Sequence, residues 1–202
     1  MDGGVIWSQW GGKRLFDLAL ACVGLLVFLV PMAWIAWRIY RELGCSPFFR
    51  QIRIGHRGEK FQIMKFRTMT AQGQSPAFCH WLRATALDEL PKLIHILKGE
   101  MSFVGPRPLI PEELKELDRI PNGARRLSVR PGLAGLAQLY GGKFPGLLER
   151  LKWDLAYVKR CCLRLDLWIL FKSLDVTLRG TWEKPSLNRH TGLNRYTGLK
   201  GS

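Results

Sequence analysis

Between Leu18 and Trp37 the chain carries no charged residue. A run of about 20 apolar residues is long enough to cross a bilayer as one helix. Lys13, Arg14 and Asp17 precede the run, and Arg38 and Arg41 follow it. With basic residues at both ends, the charge bias that orients a simple span gives no direction. Pro31 lies inside the run, where it removes a backbone donor and kinks a helix. Two readings fit. One is an ordinary spanning helix with a mild kink. The other is a re-entrant helix that breaks at Pro31 and returns to the side it entered. A signal peptide fits poorly, because the run is long and no small-residue cleavage site follows. Trp34 and Trp37 suit a headgroup belt.

The remaining sequence is basic. Across 202 residues there are 31 Lys and Arg against 16 Asp and Glu, a net charge of +15. That length favours one domain, and that balance suits anionic partners: lipid headgroups, nucleotide diphosphates or nucleic acid. No zinc-finger spacing or aromatic RNA-binding motif supports the last of these. The cysteines, Cys22, Cys45, Cys79, Cys161 and Cys162, show no C-x-x-C spacing and read as reduced thiols on the cytoplasmic side.

The densest chemistry lies in Leu82 to Pro108, LRATALDELPKLIHILKGEMSFVGPRP. Leu90, Leu93, Ile94 and Leu97 form the stripe of an amphipathic helix, and Gly99 is its expected stop. A cap at Thr85 would leave Pro91 in the helix interior, where it clashes. A cap at Asp88 puts Pro91 harmlessly in the first turn, and this start is preferred. It leaves the adjacent carboxylates Asp88 and Glu89 at the positive end of the helix dipole, which also favours a phosphate. An isolated Asp at such a place is most often only a cap.

Around this strip, Phe48 to Met69 reads as a small basic β-hairpin turning at Gly55-His56-Arg57-Gly58, with Ala71 to Ser75 as a loop. Gly105-Pro106-Arg107-Pro108 is a rigid turn, whose planar guanidinium suits an anion. Glu112, Glu113 and Glu116 read as a solvated helix face. Arg125, Arg126 and Arg130 lead into a second glycine-containing loop, through Gly132 and Gly135 to Gln138, that suits a uridine or phosphate. His80 and His95 read as structural. Leu147 to Val158 is a helix with Leu147, Leu148, Leu151 and Leu155 on one face. Leu163 to Leu174, with Trp168 and Phe171, reads as an interfacial helix or as core. Beyond Arg179 the chain is a polar tail.

LRATALDELPKL followed by LKGEMSFVGPRPL resembles the signature of the bacterial sugar transferases, the monotopic phosphoglycosyl transferase superfamily. SPFFRQIRIGHRGEKFQIMKFRTM (Ser46 to Met69), VRPGLAGLAQL (Val129 to Leu139) and WDLAYVK (Trp153 to Lys159) resemble its flanking blocks, in the same order. Several motifs in one order are far more specific than any single one. The likeness runs from about Lys13 to Leu178. It departs at Leu136, where relatives often carry Trp in a G-x-x-G-W-A-Q pattern, and in the short Ala71 to Ser75 loop. No multi-helix membrane domain precedes Lys13, so the likeness is to the small single-domain form.

The resemblance implies an α+β, mainly helical fold. A re-entrant membrane helix would fill 1–42, a cytoplasmic catalytic domain with a β-hairpin and amphipathic interfacial helices 43–180, and the tail 181–202. It implies transfer of a phosphosugar from a UDP-sugar to a polyprenol phosphate at the cytoplasmic face of the bacterial inner membrane. Asp88 would be the nucleophile and a Mg²⁺ ligand, and Glu89 the base for the second step. Lys65, Arg67, Arg83, Pro106, Arg107, Pro108, Arg130 and Gln138 would bind substrate. Membrane lipids are implied as partners, and nucleic acid is not. The residues alone also leave open a basic membrane-bound module without chemistry, or an aspartyl-phosphate hydrolase that needs no lipid acceptor.

Overall fold

The computed structural model describes residues 11–140 and 146–179. Helix α1, Gly11–Leu43, has 33 residues, roughly 50 Å if straight. Its helical backbone continues through Pro31, against the expectation of a break there. A proline removes only one N–H, whereas a break in an apolar setting would orphan several backbone groups.

The two ends of α1 pack on the same body of protein. Near its start, Lys13 pairs with Asp166 at 2.6 Å. Asp17 accepts from Ser102 Oγ and Phe103 N–H, both at 3.1 Å, and Ala21 is buried in the main apolar cluster. Near its end, Ile35 and Ile39 are buried with Phe66, Cys79 and Leu82. Between them the helix is bare: Leu26 is 78% exposed and Val30 77%.

A hairpin follows. Strands β1, Phe48–Ile54, and β2, Lys60–Phe66, pair antiparallel with Phe48 opposite Phe66. The turn falls where expected, with Arg57 and Gly58 both at positive φ. The strands are longer than the alternation suggested, because residue type does not track their faces: Phe49 and Ile52 are exposed while Arg53 is half-buried.

Helix α2, Ala77–Ala84, gives way to a 3₁₀ turn, Leu87–Lys92, and then to helix α3, Leu93–Lys98. Gly99, at φ 86°, stops α3 as anticipated. Asp88 is not the cap. Ala86, at φ 55°, precedes the turn, and no side chain caps it. Thr85 is used elsewhere, donating to Trp81 O at 2.9 Å to close α2. A non-glycine residue in the left-handed region costs about 1 kcal/mol, and here that strain sits two residues before Asp88.

Strands β3, Ser102–Val104, and β4, Gly132–Ala134, pair in parallel and lie in the core. The expected nucleotide-binding role for the glycine loop has a structural competitor. A Cβ on Gly132 would lie 2.0 Å from Gly105 N, and one on Gly135 2.4 Å from Gly105 O. These glycines let two backbones touch and so fix the Gly-Pro-Arg-Pro turn against β4.

Helix α4, Pro111–Leu117, a 3₁₀ turn at Gly123–Ser128, and helices α5, Leu136–Tyr140, α6, Leu147–Arg160, and α7, Leu163–Leu178, complete the α+β, mainly helical fold. Glu113 is not simply solvated: it accepts from Ile110 N–H at 3.0 Å and pairs with Arg150. In α6, Leu147 and Leu151 are buried, while Leu148 faces outward. Helix α7 has two apolar faces. Leu165 and Ile169 are buried, and Trp168 stacks on Tyr140 at 6.0 Å. Leu163, Leu167, Phe171, Leu174 and Leu178 are exposed. Trp168 thus belongs to the core side, and Phe171 to the bare one. None of the five cysteines is in a disulfide; Cys161 is buried and Cys162 exposed. The polar tail expected over 181–202 lies outside the described residues.

Candidate active site

The 3₁₀ turn presents Asp88 and Glu89 in different surroundings. Asp88 is 5% exposed. Lys65 Nζ, from β2, lies 3.9 Å from its Oδ2, beyond hydrogen-bond length. Burial, reinforced by the neighbouring Glu89 charge, pushes its carboxyl up to about 6 against the pull of Lys65 and Lys92. Glu89 instead pairs with Lys92 Nζ at 2.6 Å. Burial would raise its carboxyl too, but Lys92, Arg107 and Lys65 outweigh it and hold Glu89 below the usual carboxylate range. Two adjacent carboxylates with divergent acidities are a mark of divided chemical roles.

A small open cleft, with about 30 Å³ of enclosed space, lies beside Glu89. Its lining includes Arg53, Lys65, Glu89, Lys92, Arg107 and Gln138. Four cations against one carboxylate leave the cleft positive. Burial and nearby Arg107 lower the Arg53 guanidinium from its ordinary value, as crowding of like charges requires. Arg107 is held by its backbone: its carbonyl accepts from Arg126 Nη2 at 2.8 Å. Gln138 Nε2 donates to Leu133 O at 3.1 Å.

Of the residues picked from sequence, Lys65, Glu89, Arg107, Pro108 and Gln138 line this cleft, and Asp88 is reached through Lys65. Pro106 lines a smaller depression that shares Arg107 and Pro108 with the cleft. Arg67, Arg83 and Arg130 are not among the cleft's lining residues. Arg67 donates to Ser46 O at 2.9 Å, closing the base of the hairpin. Arg130 Nε donates to Gly99 O at 2.8 Å, next to the carbonyls of Ile96 and Leu97 that accept from Arg14. Both arginines therefore neutralise the negative end of α3. Sequence reasoning missed Arg53 and Lys92 as site residues. The Glu89-to-Lys92 spacing, three apart on a helical turn, was the signal for the second. His95 is structural as expected, accepting from Met64 N–H at 2.9 Å.

Among the described residues no three His, Cys, Asp or Glu side chains gather into a metal cage. Mg²⁺ does not require one, since it commonly takes one or two carboxylates and completes its shell with substrate phosphates and water. Asp88, with Lys65 Nζ standing off at 3.9 Å, fits that donor set.

A carboxylate pair beside lysines and arginines suits chemistry on phosphorylated groups. The model of the bacterial sugar transferase family matches residues 8–180. The chain belongs to that family, and it is a phosphoglycosyl transferase. It is 35% identical over 190 residues to the exopolysaccharide production protein ExoY of Rhizobium meliloti (strain 1021), covering 80% of this chain and 83% of that protein. It is 33% identical to the UDP-glucose:undecaprenyl-phosphate glucose-1-phosphate transferase of Caulobacter vibrioides, covering 83% of this chain and 67% of that one. It is 31% identical to the undecaprenyl-phosphate galactose phosphotransferase of Salmonella typhimurium, covering 83% of this chain but 40% of that longer protein.

Proposed function

We propose that this chain transfers a phosphosugar from a UDP-sugar to a polyprenol phosphate, undecaprenyl phosphate in particular, and releases UMP. The setting is the cytoplasmic face of the bacterial inner membrane, at the first membrane step of glycoconjugate or polysaccharide assembly. The observation that carries this reading is the Asp88-Glu89 pair beside a cleft of four cations in a chain of this family. In the first step an Asp88 carboxylate oxygen attacks the phosphorus that bears the sugar. The bond to the UMP oxygen breaks, and an aspartyl-phosphosugar remains. In the second step an oxygen of the lipid phosphate attacks the same phosphorus, and the Asp88 carboxylate leaves unchanged.

Arg53, Lys65 and Arg107 neutralise the diphosphate, without which a carboxylate cannot approach it. Asp88 would hold a Mg²⁺ ion, whose chemistry there would be further charge neutralisation. Glu89 takes the lipid phosphate's remaining proton. Its ion pair makes it a weak base at rest, so this role asks Lys92 to exchange partners toward the incoming phosphate. Glu89→Gln is therefore expected to form the labelled intermediate yet turn over at least tenfold more slowly. Failure to form the adduct would remove the division of labour.

The reading also takes α1 as a re-entrant helix, one that turns back at Pro31 by bending while it stays helical instead of by the break expected there. Both of its ends pack on one body of protein, and one body cannot stand on two sides of a membrane. Cysteine-accessibility labelling of single sites near Gly11 and Leu43, in a cysteine-free background, is expected to report the cytoplasm at both. Labelling of the Gly11 end only from the periplasm would restore a spanning helix. The bare side of α7 would rest in the same interface. The deciding assay offers purified protein a panel of UDP-sugars with Mg²⁺ and undecaprenyl phosphate, and measures UMP. Sustained UMP release that needs the lipid, above no more than one UMP per enzyme without it, supports the transferase. Free phosphosugar without lipid marks a hydrolase, and no UMP marks a protein that only binds.

A further inference from the structure

His95 lies on α3, three residues after Lys92, and is 5% exposed. Both ring nitrogens are committed. Nε2 is 2.9 Å from Met64 backbone N, and Nδ1 is 2.6 Å from Glu100 Oε2. A backbone N–H only donates, so Nε2 must offer a lone pair. The proton then sits on Nδ1 and is donated to Glu100. Phe61 packs edge-on against the ring at 5.8 Å.

Met64 belongs to β2, whose strand partner is β1, with Met64 opposite Arg50. Its other side is a sheet edge, where a backbone N–H needs a partner from outside the sheet. His95 provides it. The next residue is Lys65, whose Nζ stands 3.9 Å from Asp88 Oδ2. The ring thereby ties the strand that carries Lys65 to the helix that continues from Asp88.

We propose that His95, oriented by Glu100, is a positioning residue that sets Lys65 against Asp88 through the Met64 N–H. The inference rests on the reading of Asp88 as the reacting carboxylate, and its test keeps the two apart. UMP release is followed with the UDP-sugar that reacts in the panel. His95→Leu removes the acceptor and is expected to slow the first step at least tenfold. His95→Gln, whose amide oxygen can replace Nε2, should stay within threefold. Both are repeated in a Lys65→Met background, where the loss from His95→Leu should shrink to under twofold because the group being positioned is gone. Glu100 is partly exposed, so Glu100→Ala carries the same cycle should His95→Leu fail to fold.

A second readout needs no turnover. The Met64 amide should exchange slowly in the parent protein and in His95→Gln, and at least tenfold faster in His95→Leu and Glu100→Ala. Equal losses with and without Lys65, or a Met64 amide indifferent to these variants, would overturn the proposal. Residual turnover in Asp88→Asn would instead overturn the nucleophile assignment and leave the coupling between His95 and Lys65 standing.

Discussion

Asp88→Asn is expected to abolish both the covalent adduct and turnover, by on the order of 10⁴-fold or more, the scale of losing a nucleophile. An amide of the same shape cannot attack phosphorus. The control is stability, and its sign follows from the raised carboxyl. With a folded value of about 6 against 3.8 for a free aspartate, the folded chain holds this proton more tightly than the unfolded one. The ionised carboxylate therefore opposes folding fully above pH 6, on the order of 2–3 kcal/mol. That penalty fades as pH falls and is gone below 3.8. Asp88→Asn should melt at the same or a higher temperature near pH 8 while losing activity. Parent activity should fall about tenfold per unit below pH 6 as the carboxylate protonates. A variant that keeps most turnover removes Asp88 from the chemistry, and one that unfolds removes the test.

Lys13→Met is expected to cost about 3–5 kcal/mol of stability. Lys13 and Asp166 are 7% and 0% exposed and 2.6 Å apart. The Tyr157 hydroxyl, 2.7 Å from the other Asp166 oxygen, donates to it. Removing the lysine takes away the cation 2.6 Å from a carboxylate deep in the core. A loss of this size takes a large share of a domain's total stability, so yield and melting temperature in detergent should both drop. Adding Asp166→Asn should recover part of the loss, because that carboxylate charge is then gone. A Lys13→Met protein within 1 kcal/mol of the parent would show that the pair contributes little.

What sequence could reveal was mostly local. The stop at Gly99, the turn at Gly55 to Gly58 and the reach of the apolar run followed from residue type and period alone. The start of the catalytic turn did not. Ala86 sits in a conformation that no alanine advertises, and Thr85 spends its hydroxyl on the preceding helix. Strands β3 and β4, three residues each and paired across almost thirty intervening positions, carry no periodicity to read. Arginines show the same limit. Arg67 and Arg130 sit in blocks that invite phosphate, and each also donates to a distant carbonyl. Charge is visible in sequence, but its partner in space is not.

Leu90 packs against both apolar clusters that hold α1, one toward each end of that helix. It is also the residue after Glu89. On the proposed membrane-bound reading, a change in how deeply the helix rests, through acyl-chain length or micelle size, would reach the acidic pair through this one side chain. Turnover should then vary with the thickness of the bilayer supplied.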